Sequence, residues 1–143
     1  MSALRNGGGY MTEKTFPAEI NELAQVLVFL EEELDKAGTG PKLMVTFAIA
    51  LEELFVNVAH YGYPDSKGNV KIGIDTSGDS IVVQLTDSGI PFDPTALPDP
   101  DITESAEERK IGGLGIYMVK KSMDSMKYEY RDSQNSLTIS KRK

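Results

Sequence analysis

The chain has no cysteine, no tryptophan and one histidine, and it is short of basic residues, with 15 against 22 acidic ones in 143. Without cysteine there is no disulfide framework and no thiolate metal site, which accords with the cytoplasm. The formal charge of −7 argues against an unspecific nucleic-acid binder and gives no support for an anionic membrane surface as partner. One basic cluster, Lys141-Arg142-Lys143, is too short to change that. Long hydrophobic runs are missing as well. Leu43 to Leu51 is the longest nearly apolar stretch, far below the roughly 20 residues of a membrane span, and the N-terminal MSALRNGGGY lacks the apolar core of a signal peptide. A cytoplasmic protein is expected, touching neither nucleic acid nor membrane. With 40% hydrophobic residues the chain can bury one proper core. Residues 10–143 are expected to form a single domain, and the polar, Gly-rich residues 1–9 to be disordered.

What is present centres on Lys42 to Tyr61, KLMVTFAIALEELFVNVAHY, which reads as a helix apolar on nearly every side and therefore buried. Glu53 and Asn57 stand one turn apart on a single face, in a stripe with Thr46, Ala50 and His60. Burying such groups unpaired costs about 2–7 kcal/mol for a neutral polar group, and more for a charge. Two answers are open: a polar pair bonded inside the core, or a stripe facing a cleft that holds a hydrated cation, for which carboxylate and amide oxygens are suitable ligands.

Around that helix the pattern predicts an α/β protein. Tyr10 to Phe16 is a weak edge strand, and Pro17 suits the first turn of an amphipathic helix with Ile20, Leu23, Leu27, Leu30 and Leu34 on its buried stripe. Glu31, Glu32, Glu33 and Asp35 form its solvated face. Val70, Ile72 and Ile74 alternate with polar residues, Ser77-Gly78-Asp79 makes a hairpin turn, and SIVVQLTD follows as a deeper strand. Asp87-Ser88-Gly89 ends that strand with a carboxylate and a glycine able to take positive φ. Residues 94–111, with three prolines and mixed charge, form a long loop of the kind used as a lid. The loop ends at Gly112-Gly113-Leu114-Gly115, where a helix begins with Ile116, Val119 and Met123 inward and Lys120 and Lys121 outward. KYEYRD and SLTISK, joined through Ser133-Gln134-Asn135, close the sheet.

A glycine-rich loop entering a helix N-terminus suits phosphate, because free N–H groups and the helix dipole face the anion. The same glycines also suit a merely tight helix entry. No G-K-[ST] follows and a third fingerprint glycine is missing, so neither a P-loop nor a dinucleotide site is indicated. His60 reads as a helix-end packing residue, Glu52 lies about 100° from Glu53, and Arg109 and Lys110 either reach a phosphate or pair with Glu107 and Glu108.

In combination, E-x-x-x-N on a buried helix, D-x-G at a strand end and G-G-x-G at a helix start resemble the Bergerat-type ATP-binding superfamily of sensor histidine kinases, type II topoisomerases and mismatch-repair ATPases. More narrowly, ALEELFVNVAHYGYP, LTDSGIPFDP and GGLGIYMVKKSMDSMKYEY look like the bacterial anti-sigma-factor serine kinases, over roughly residues 15–143. The resemblance implies a two-layer α/β sandwich, a mixed and mostly antiparallel sheet with helices on one face, binding ATP and Mg²⁺. It implies Asn57 as the Mg²⁺ ligand, Glu53 as general base and Asp87 as the acceptor for the adenine amino group. Gly89 would let the chain turn around the base, and Gly113, Leu114 and Gly115 would lie at the phosphates beneath a 94–111 lid. The implied partners are a sigma factor and a STAS-type anti-anti-sigma factor, with the kinase a homodimer. A module of the same fold that senses ATP without transferring phosphate is the alternative. Asp132 to Thr138 departs from the glycine-rich pattern of the family's last box, which leaves a nucleotide role for Thr138 open.

Overall fold

A computed structural model describes residues 2–6, 9–98 and 113–143. Strands β1 (Ser2–Asn6), β2 (Gly9–Pro17), β3 (Asn69–Asp75), β4 (Ser80–Asp87), β5 (Ser125–Arg131) and β6 (Gln134–Arg142) build one sheet in the order β1-β2-β3-β4-β6-β5. Helices α1 (Leu23–Lys36), α2 (Pro41–Tyr61) and α3 (Gly113–Ser122) share one core with one sheet face. The expected two-layer sandwich is therefore present. Every pairing among the described residues is antiparallel, in keeping with the mostly antiparallel sheet expected, because β6 returns from a tight hairpin with β5 and lies against β4.

Strand periodicity sets the faces. Along β4, Ile81, Val83, Leu85 and Asp87 are buried and the residues between them are not, as alternation requires. Asn135, Leu137 and Ile139 repeat the pattern on β6. The β5–β6 turn is Asp132-Ser133 alone, with φ of 54° and 62°, the two positive values of a type I′ hairpin. Gln134 and Asn135, expected in the turn, belong to the strand.

Three other expectations change. Ser2–Asn6 is a strand, paired from Ser2↔Glu13 to Asn6↔Gly9, where disorder was expected. Pairing at a sheet edge draws on backbone groups and needs no apolar pattern, and Asn6-Gly7 is a strong hairpin signal. Pro17 closes β2 instead of opening a helix, and α1 begins at Leu23 after a single 3₁₀ turn, Ile20–Glu22. Its buried stripe is accordingly Val26, Phe29, Leu30 and Leu34, with Ile20 exposed. Phe29 meets Phe16 of β2 at 5.9 Å between ring centroids. A Schellman turn ends the helix: Gly38 has φ +72°, and the Thr39 and Gly38 N–H groups donate to the Leu34 and Asp35 carbonyls at 3.0 Å.

Helix α2 is central, touching both α1 and α3. Gly40 caps it and Pro41 occupies its first turn. By length and composition its 21 residues could cross a membrane; here Phe47, Ala50, Leu51, Leu54 and Phe55 seat it on the sheet. It is not buried all round, since Val45 and Ile49 are more than half exposed. One apolar face thus anchors the helix while Glu53 and Asn57 look sideways along the layer.

Candidate functional site

The last turns of α2 and the ends of β4, β5 and β6 enclose a cavity of about 230 Å³. Leu54, Asn57, Val58 and Tyr61 form one wall, Leu85, Leu137 and Tyr128 the floor, and Ile90, Phe92 and Pro94 a rim. Asp87 and Asn135 supply polar atoms at its base. An apolar slot with a few convergent polar groups is the usual form of a small-molecule site.

Asp87 is 7% exposed. Its Oδ1 accepts the Gly89 N–H at 2.9 Å and the Asn135 amide at 3.0 Å. Oδ2 accepts nothing among the described residues. Burial pushes the Asp87 carboxyl above its ordinary value, and the Gly89 and Asn135 donors oppose that rise. A buried carboxylate with one free oxygen at a cavity needs a donor, and a ligand amino group supplies one.

Gly89 is needed for space and not for φ. Its φ is not positive, but a Cβ there would stand 2.4 Å from the Gly62 carbonyl oxygen at the end of α2. The same oxygen accepts the Ile90 N–H at 2.9 Å. Gly89 therefore lets the strand end lie against the helix end, and it sits behind the cavity, in a shallow groove with Tyr63 and Ser88. Tyr63 braces that corner, its hydroxyl donating to the Asn69 carbonyl at 2.7 Å and accepting the Ser88 N–H at 2.8 Å.

Asn57 lines the cavity, is half-buried, and makes no side-chain hydrogen bond among the described residues. Glu53 lies one turn back, outside the cavity wall, where α2 meets α3. A Cβ on Gly115 would stand 2.0 Å from Glu53 Oε2, so the carboxylate fills the place a side chain would take. Gly113, Leu114 and Gly115 form the first turn of α3. The predicted residues thus fall into two groups, Asp87 and Gly89 at the closed end and Glu53 with the α3 start at the other, and Asn57 stands between them. Of the 94–111 loop, residues 94–98 are described; 99–112, with Arg109, Lys110 and Gly112, lie outside the described residues.

The remaining candidates resolve simply. His60 is exposed and packs edge-on to Tyr61 at 5.7 Å, and Glu52 is exposed. Thr138 stands on the sheet face opposite the cavity, since its neighbour Leu137 lines that cavity, and its hydroxyl accepts from Gln84 Nε2 at 3.0 Å. Asn135 and Tyr128 are the cavity-lining polar residues that sequence reasoning missed. Asn135 is 6% exposed and sits directly across the ladder from Asp87. A buried polar residue in an alternating strand was the available signal.

A hydrated magnesium ion suits this donor set. Mg²⁺ keeps several waters and takes few protein ligands, and the Asn57 amide is a free neutral donor between the cavity and the α3 N-terminus. No cluster of three or more acidic or histidine side chains able to hold a metal by itself occurs among the described residues.

Fold and site together define a nucleotide-binding α/β domain. The chain belongs to the histidine kinase-like ATPase domain family, whose pattern matches residues 16–141. Among its relatives is the serine/threonine-protein kinase BtrW of Bordetella bronchiseptica, 22% identical over 134 residues that cover 90% of this chain and 94% of that protein. The serine-protein kinase RsbW of Bacillus mycoides is 22% identical over 129 residues, 87% of this chain and 81% of that protein. RsbW of Listeria monocytogenes is 28% identical over 100 residues, 66% of this chain and 64% of that protein.

Proposed function

We propose that the protein is a cytoplasmic, ATP-dependent protein serine kinase of the anti-sigma type. It binds Mg²⁺-ATP, phosphorylates a serine on a small anti-anti-sigma partner, and as a homodimer sequesters a sigma factor when that partner is unavailable. The observation that carries this reading is the free Asp87 oxygen at an apolar cavity, with Asn57 at its mouth and Glu53 one turn beyond against the start of α3. The names of the relatives support the serine as acceptor.

Each residue has a physical task. The cavity takes the adenine, with Asp87 Oδ2 accepting its amino hydrogen. Asn57 holds the ion, which when bound neutralises charge on the phosphates during transfer. The α3 N-terminus directs N–H groups and its dipole toward the phosphates. Glu53 accepts the proton of the attacking serine hydroxyl, and positioning supplies most of the rate.

The test is transfer of labelled γ-phosphate from ATP with Mg²⁺ to small candidate partner proteins from the same genome, comparing the wild type with Glu53→Ala and Asn57→Ala. Labelled serine on one partner, lost in both variants, is the expected result. ATP binding with no transfer to any partner would refute the kinase and leave a nucleotide-sensing module.

A further inference from the structure

Asn135 touches five groups. Its amide nitrogen lies 3.0 Å from Asp87 Oδ1, 3.0 Å from the Ile90 carbonyl and 3.3 Å from the Gly89 carbonyl. Its oxygen accepts the Phe92 N–H at 3.1 Å and the Tyr128 hydroxyl. The two ends of the amide thus meet opposite partners, acceptors at one and donors at the other. Its orientation follows, because a flipped amide would set oxygen against a carboxylate and two carbonyls.

This arrangement decides what Asp87 offers a ligand. Oδ1 is occupied by the Gly89 N–H and by Asn135, and Oδ2 is the oxygen left for the cavity. Accepting the reading of that cavity as an ATP site, we infer that Asn135 is the positioning residue that sets base specificity. By holding Oδ1 it presents Oδ2 as a pure acceptor, which selects a purine carrying an amino group at C6 and rejects one carrying an oxo group there. A 6-oxopurine would set its carbonyl oxygen against the carboxylate, lone pair to lone pair.

The charge on Asp87 is part of the device. Burial favours the neutral acid, whereas the donors from Gly89 and Asn135 favour the carboxylate. The groups facing it are Tyr63 from the α2–β3 connection and Tyr128 from β5, both held above the ordinary tyrosine value by burial, with Asp93 acting on Tyr128 from the rim. Asn57 and Tyr61 look in from α2. Among the described residues no cation contributes to the balance at Asp87. Without the Asn135 donor the carboxyl would take up a proton at higher pH, and a protonated carboxyl can donate to an oxo group.

Equilibrium binding of Mg²⁺-ATP and Mg²⁺-ITP, which carry an amino and an oxo group at C6 and, with them, a bare and a protonated N1, tests this from neutral to mildly acid pH on the intact chain. Wild type is expected to prefer ATP about 10- to 100-fold, the range for leaving a buried acceptor unsatisfied. Asn135→Asp opposes two carboxylates that must share a proton. The preference should fall to within about threefold, and the acid loss of ATP binding should begin about one pH unit higher. Thr138→Val, on the far face of the same strand, keeps the Asn135 donor and should retain the wild-type ratio. If Asn135→Asp does not fold, Asn135→Ser reads the same two quantities, since serine is too short to hold Oδ1. An Asn135 variant that binds ATP with the wild-type ratio and pH profile would overturn the role of Asn135, as would a wild type that binds both triphosphates equally. A wild type that binds neither would overturn the nucleotide site itself.

Discussion

Replacing Gly115 by alanine separates chemistry from stability. The new Cβ would stand 2.0 Å from Glu53 Oε2 and 2.8 Å from its Cδ, whereas ordinary contact begins at 3.4 Å. The carboxylate must therefore retreat by about 3.4 − 2.0 = 1.4 Å. Glu53 is a long side chain, and its carboxylate end can move without disturbing the backbone. The fold should then be untouched or slightly firmer, because alanine in a helix is favoured over glycine by about 0.5–1 kcal/mol. For a chain of this size that is a Tm rise of about 1–4 °C. Catalysis should respond in the opposite direction. Misplacing a reacting group by about 1 Å costs up to about 10²-fold, equivalent to about 2.7 kcal/mol of barrier. Thermal unfolding and single-turnover phosphotransfer on one preparation measure both. A Tm that falls by several degrees, or a transfer rate within twofold of wild type, would refute the placement of Glu53 against α3 as the acting base.

The same substitution at Gly89 should behave differently, because its Cβ would meet the Gly62 carbonyl, which is backbone and cannot swing away. Gly89→Ala is expected to cost about 1–3 kcal/mol in chemical denaturation and to weaken ATP binding with it. Acidification should move two properties of Asp87 in opposite directions. Its folded pKa is raised, so the folded state holds the proton more tightly than the unfolded chain, and this group's contribution to stability grows as pH falls through the folded value. Affinity for ATP should decline over that same window, above the ordinary Asp value, as read by calorimetry and by titration with ATP; Asp87→Asn should flatten both curves. Thr138→Val removes the Gln84 contact on the far face and should cost no more than about 1 kcal/mol, with ATP affinity unchanged in the same binding assay.

The parts of this protein that could be read from sequence are those governed by local rules. The period of α2, the β3–β4 hairpin around Gly78 and the inward residues Ile116, Val119 and Met123 each follow from spacing within one element. So does the Glu53–Asn57 pair, which one helical turn fixes. What escaped depends on register between distant segments. Asn135 matters because β6 lies beside β4 with residue 135 opposite residue 87, and nothing within a few positions of Asn135 announces that partner. The same holds for Gly89 and Gly115. Each was chosen for its conformational freedom or its place at a phosphate, but what makes each a glycine is an atom from another element: the Gly62 carbonyl in one case and the Glu53 carboxylate in the other. The start of α1 was misplaced because proline at a strand end and proline at a helix start read alike.

Strand β1 gives β2 a neighbour on its outer side along Ser2↔Glu13 to Asn6↔Gly9. A chain cut before Gly9 would leave that stretch of β2 as the sheet margin, with a row of N–H and C=O groups open to any extended peptide. The first few residues therefore act as a built-in cover, and their removal would appear in the company the protein keeps with other chains before it appeared in the cavity at the opposite side of the sheet.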